Sequence, residues 1–65
     1  MNRLREVRFF KKVNQYQLAM SSQVYQSRIS LIENGLVKAR PEERQRLASA
    51  LGVRVEEIWS KANGN

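Results

Sequence analysis

Histidine and cysteine are both missing from this 65-residue sequence. Without cysteine there is no disulfide staple and no thiolate metal site. Without histidine, the commonest metal ligand and general base is gone. Zinc fingers, small disulfide-bonded secreted frameworks and Ser-His or Cys-His catalysis are therefore excluded, and no metal or cofactor is expected. Acidic residues are scarce: six Asp or Glu stand against twelve Lys or Arg, a formal net charge of +6. One proline and three glycines give no low-complexity bias, and no internal repeat is visible. No apolar run approaches the ~20 residues that span a bilayer. The start, Met1-Asn2-Arg3-Leu4-Arg5, lacks the apolar segment of a secretory signal. A soluble cytoplasmic protein without membrane or small-molecule partners is the expectation. A chain this short buries only roughly 60% of its unfolded surface, so one small, tightly packed domain is the ceiling. Composition thus leaves a small basic domain that attracts polyanions.

The charge that is present is unevenly placed. Arg3, Arg5, Arg8, Lys11 and Lys12 crowd the first twelve residues, with Glu6 as the one acid among them. From Val13 through Ser27 there is no charge at all. Basic residues return at Arg28, Lys38, Arg40, Arg44, Arg46, Arg54 and Lys61. A protein that grips phosphates with Lys and Arg and reads base edges with neutral amides has this pattern. So does a solvated basic surface around a polar helix, and charge alone does not separate the two.

Periodicity predicts five helices and no strand. The first spans Arg3 to Lys12, with Asn2 as N-cap and Leu4, Val7, Arg8 and Lys11 along one stripe. Phe9 and Phe10 are adjacent, so one of them should be partly exposed. Asn14 caps a second helix from Gln15 to Ser22, with Leu18 and Ala19 inward. Gln23 to Tyr25 makes a turn. The third helix runs from Gln26 to Glu33, with Ile29 and Ile32 inward and Asn34-Gly35 as its stop, Asn34 itself being able to take the left-handed conformation. Pro41 suits the first position of a fourth helix whose Leu47, Ala48 and Leu51 face the core, ended by Gly52. A solvated face of Glu42, Glu43, Arg44 and Arg46 is expected on it. A fifth helix from Val55 to about Lys61 completes a domain over residues 1–61, with 62–65 as a frayed tail.

The second and third helices with their three-residue turn form a helix-turn-helix candidate. Asn14-Gln15-x-x-Leu18-Ala19, then Val24, then Ile29-Ser30-x-Ile32-Glu33-Asn34-Gly35 resembles the Cro/CI (XRE-type) helix-turn-helix family of phage repressors and bacterial regulators. The likeness continues through Leu47-Ala48-x-Ala50-Leu51-Gly52-Val53 and Val55-Glu56-Glu57-Ile58, so it covers Leu4 to Trp59. It implies an all-α, compact, five-helix lambda-repressor-like DNA-binding domain. A recognition helix lies in the major groove with its first residues toward base edges. Those are Gln26, Ser27 and Arg28, with Leu31 a turn further on. Gln can bond the adenine edge, Arg a guanine or a phosphate, and Leu31 can meet only a thymine methyl.

Further roles come from the resemblance alone. Gln15 would contact the DNA backbone and brace Gln26, and Asn34, Lys38 and Arg40 would meet phosphates. Arg8 and Glu33 would form an ion pair joining the first and third helices. Relatives dimerise through the fifth helix and its preceding loop, which points to Ile58 and Trp59; for Trp59 a place in the core is the alternative. Four positions depart from the family pattern. Gln23 stands for the usual turn glycine, and Ser22 for an apolar residue, leaving a gap for Met20 or Tyr25 to fill. Tyr25 and Arg54 stand for the usual Ser or Thr caps. Tyr25 would then place its hydroxyl on a phosphate or pack across the turn.

The leading expectation is a sequence-specific double-stranded DNA-binding regulator, a repressor acting as a homodimer on a palindromic operator. The alternative keeps the fold and adds a protein partner, as an antitoxin or a restriction-modification control protein does. A DNA-binding piece of a longer repressor is also compatible. An enzyme is disfavoured, because no nucleophile-base pair or Gly-rich phosphate loop is present.

Overall fold

In the computed structural model, which describes residues 2–60, five helices follow one another: α1 (Leu4–Phe10), α2 (Gln15–Ser22), α3 (Gln26–Glu33), α4 (Pro41–Leu51) and α5 (Val55–Ile58). No strand occurs among the described residues. The helices end where backbone chemistry tells them to. Asn14 and Gln17 form a reciprocal capping box at the start of α2, each side chain accepting the other's backbone N–H at 2.9 and 2.8 Å. Glu43 and Glu57 reach back to the backbone N–H of Arg40 and Arg54 at 2.8 and 2.9 Å, so α4 and α5 start on a carboxylate although their cap residues are arginines. Gly35 and Gly52, at φ 72° and 71°, turn the chain out of α3 and α4. Leu36 and Val53 then donate back to Leu31 and Ala48 at 2.9 and 3.0 Å, the six-to-one closure of a Schellman motif.

Several expectations are corrected here. α1 runs from Leu4 to Phe10 rather than Arg3 to Lys12. Lys12 takes φ 59°, and Val13 donates to Arg8 at 3.1 Å, closing the helix early. Asn34 stays at φ −89° and leaves the left-handed conformation to Gly35, where no side chain resists it. α5 stops at Ile58; its expected end at Lys61 and the tail 62–65 lie outside the described residues. Phe9 and Phe10 are both exposed, because the buried stripe of α1 passes through Leu4, Val7 and Arg8 instead; Lys11 is exposed too.

The core is shared by all five helices. Leu4, Leu18, Ile29, Ile32, Leu47 and Ile58 are fully buried, and Val7, Val24, Ala39, Ala48, Leu51 and Trp59 close around them. A Cα radius of gyration of 10.2 Å matches the roughly 11 Å of a compact chain of this length. Ile58 and Trp59, expected at a dimer interface with a core place as the alternative for Trp59, are both buried in this core. Val55, partly buried against the same cluster, is the other apolar side chain with which the short α5 holds itself down. Trp59 also lies under the Arg44 guanidinium, 5.8 Å from ring centre, and Arg44 Nε donates to Ala39 O at 3.2 Å. Ser22 is buried without being replaced, its Oγ accepting from Val24 N at 3.2 Å. Met20 and Tyr25, the expected fillers, point outward.

Candidate nucleic-acid interface

The interface is built on the α2–turn–α3 unit. Leu18 in α2, Val24 in the turn, and Ile29 and Ile32 in α3 are buried together, which fixes the two helices against each other. The turn needs a left-handed residue, and Gln23 supplies it at φ 60°, donating its N–H to Ala19 O at 2.9 Å. Cβ strain at such a position costs roughly 1–2 kcal/mol. Tyr25 occupies the cap position of α3 and makes no side-chain cap bond. Because Ile29 and Ile32 point inward, the first residues of α3, Gln26 and Ser27, face solvent. Leu31, a turn later, is also exposed.

Arg28 does not join them as a free reader. Its Nε and Nη2 donate to Glu43 Oε2 and Oε1 at 2.9 and 2.7 Å, a two-pronged pair tying α3 to the start of α4. Glu43 is thus buried rather than part of a solvated face, and the Arg28 guanidinium, expected on a base or a phosphate, is paired within the fold. Burying Glu43 next to the α4 N-terminus demands a cation, and Arg28 is within reach. Hydrogen bonding from Arg28 holds the Glu43 carboxyl below its usual pKa against the opposing effect of burial, with help from the Arg40 N–H.

A second network lies on the other side of α3. Arg8 Nε and Nη2 clasp Glu33 Oε2 and Oε1 at 2.6 and 3.1 Å, with side chains only 7% and 0% exposed. Arg8 Nη1 also holds Val13 O at 3.1 Å, where α1 gives way to α2. Glu33 Oε1 accepts further from Gln15 Nε2 at 3.0 Å and Arg5 Nε at 3.4 Å. Burial by itself would raise the Glu33 pKa. The hydrogen bonds from Arg8 and Gln15, together with the Arg8 charge, outweigh burial and leave it lowered.

This network takes in two residues expected on phosphates. Gln15 turns to Glu33 rather than bracing Gln26, because the buried carboxylate is the stronger acceptor. Asn34 accepts from Arg5 Nη2 at 2.7 Å and donates to Ser30 O at 2.9 Å. Each amide nitrogen carries two protons and uses one here, so a second remains on Gln15 and on Asn34. Lys38 and Arg40 are exposed on the connection from α3 to α4. Arg5 was not anticipated from the sequence. Its place one turn before Arg8 on α1 was the available signal.

A family profile described as helix-turn-helix matches residues 4–58. The chain belongs to the XRE-type helix-turn-helix family, whose members are DNA-binding regulators. The matched span takes in all five helices, so α2 and α3 are the helix-turn-helix of this DNA-binding protein. No individual curated protein matches the chain. No described helix is long and apolar enough to cross a membrane, and no described cluster of carboxylates could hold a metal ion.

Proposed function

We propose that this helix-turn-helix protein is a sequence-specific transcriptional regulator, a repressor that binds a palindromic operator as a homodimer in the cytoplasm and has no enzymatic role. The observation that carries the reading is the exposed start of α3: Gln26 and Ser27 face solvent at the end that enters a major groove, on a helix anchored by Ile29 and Ile32. Gln26 and Ser27 then read base edges, and Leu31 meets a thymine methyl. The remaining amide protons of Gln15 and Asn34, the Tyr25 hydroxyl, and Lys38 and Arg40 hold phosphates. Dimerisation falls to the connection before α5, around Val53 and Arg54, since Ile58 and Trp59 are committed to the core. One recognition helix spans few base pairs, and two copies on half-sites ~34 Å apart multiply the length read.

Selection from random duplexes tests this reading, with a palindrome of defined half-site spacing expected. Affinity for the selected site should fall on the order of 10³–10⁵ between 50 and 200 mM salt if ~6–10 phosphates are held. A flat salt response, or no enriched sequence, would sink it. A second role is favoured by one observation. Phe9 and Phe10 are both exposed on α1, away from the buried stripe. Such a pair suits a protein partner, as in an antitoxin or a restriction-modification control protein. Phe10→Ser, with DNA affinity unchanged and partner capture lost from the native host, would support that role.

A further inference from the structure

The wall that α2 and the turn raise beside Gln26 is apolar and carries no charge. Tyr16 and Met20 lie one turn apart on the same face of α2, and Ala19, Val24 and Tyr25 continue the surface to Gln26. Together they border an open groove of about 550 Å³. The four other grooves described on this protein each include charged side chains; this one has none. Tyr16, Met20 and Tyr25 are 61%, 65% and 82% exposed, a large apolar outlay for a chain with so small a core. The backbone keeps them there. Buried Val24 and the left-handed Gln23 draw the turn inward, and the Tyr25 ring stays outside without capping α3.

We infer that this groove holds the 5-methyl group of a thymine in the major groove, making Met20 and Tyr25 specificity-determining residues beside Gln26. The inference rests on the DNA-reading role proposed for α3. Three observations choose the occupant. The groove shares Gln26 with the exposed start of α3, so whatever fills it lies next to the base edge that Gln26 reads. Its lining falls within the uncharged stretch Val13 to Ser27, so the groove's own walls are mostly apolar and carry no charged side chain. The thymine methyl is the apolar feature that a base pair presents in the major groove. A protein seated here would cover Gln26 and exclude DNA.

The test uses the 65-residue chain and a duplex obtained by selection. Each thymine is replaced singly by deoxyuridine, which removes only the methyl group, and Kd is measured for each duplex. At one thymine per half-site, adjacent to the pair read by Gln26, the replacement should weaken binding about fourfold, the worth of one buried methyl. In Met20→Ser/Tyr25→Ser the thymine and uracil duplexes should bind equally at that position. Serine at position 25 is a favourable cap residue for α3, so this variant retains the fold; Tyr16→Ser alone should reduce the discrimination partway. Discrimination below twofold at every thymine overturns the inference while leaving sequence-specific binding intact. Discrimination that survives in the double variant but vanishes in Leu31→Ala overturns it as well, moving the methyl contact to Leu31. Failure to select any sequence overturns both this inference and the DNA-reading role.

Discussion

Gln26 and Arg28 sit two residues apart on α3, yet their side chains have different obligations. Gln26 is exposed, whereas the Arg28 guanidinium is engaged by both oxygens of Glu43. Gln26→Ala should therefore cost ~1–3 kcal/mol on the selected site and relax preference at one base pair, measured by competition against single-substituted duplexes. Arg28→Ala should leave the preferred sequence unchanged and lower thermal stability, because Glu43 loses its counter-ion. A shift in preference at one base pair for Arg28→Ala would instead mean that the pair opens on DNA. Arg8 is a sharper case, being buried against Glu33. Arg8→Met should cost ~3–5 kcal/mol in urea denaturation, while Arg8→Met/Glu33→Leu should recover most of that loss. Equal loss in both would show that Arg8 acts through its contact with Val13 O rather than through the pair.

Among the elements, the turn between α2 and α3, like the end of α1 at Lys12, carries a local conflict between sequence and backbone. Gln23 adopts φ 60°, a conformation in which its Cβ crowds the backbone. Gln23→Gly should stabilise the fold by about 0.5–1 kcal/mol, the strain relieved less the extra freedom glycine has when unfolded. In a domain of this size that is a rise of several degrees in Tm, roughly 4–8 °C per kcal/mol. An unchanged or lower Tm would show that the Gln23 side chain compensates by contacts of its own. The starts of α4 and α5 teach a related lesson. Arg40 and Arg54 are poor caps, but Glu43 and Glu57 three residues on supply the acceptor. A cap judged by its own residue type is misjudged when the third residue reaches back.

At the scale of the whole molecule, two buried or nearly buried carboxylates hold the helices together. Glu33 joins α1, α2 and α3 through Arg8, Gln15 and the half-exposed Arg5. Glu43 joins α3 to α4 through Arg28. Both have a folded pKa below the ordinary carboxylate value. The folded state thus binds fewer protons than the unfolded one as pH drops past about 4.3. The stability these groups contribute is complete above that pH and is lost as pH falls through the folded values. Tm should be nearly level from pH 8 to about 5 and decline steeply below about 4. The decline should be shallower in Glu33→Gln, from a lower starting Tm. A melt insensitive to pH down to 2 would remove both carboxylates from the account of stability.

What could be read from the sequence was whatever depends on near neighbours in the chain. The order of the helices, the α2 and α3 limits, the Asn14 cap, the Gly35 and Gly52 exits and the inward positions Leu18, Ile29, Ile32 and Leu47 all follow from periodicity and local capping. The Asn14-Gln15-x-x-Leu18-Ala19 and Ile29-Ser30-x-Ile32-Glu33-Asn34-Gly35 motifs marked the helix-turn-helix. What depends on partners far apart in the chain was not legible in this way. The pairing of Arg28 with Glu43 spans fifteen residues and that of Arg5 with Asn34 twenty-nine, and no local pattern announces either. Trp59 and Ile58 turned inward because a five-helix core this small needs every large apolar side chain that α5 can offer. Periodicity assigns a residue to a face; only the packed structure decides which charge meets it there, and so which arginines remain free to meet DNA.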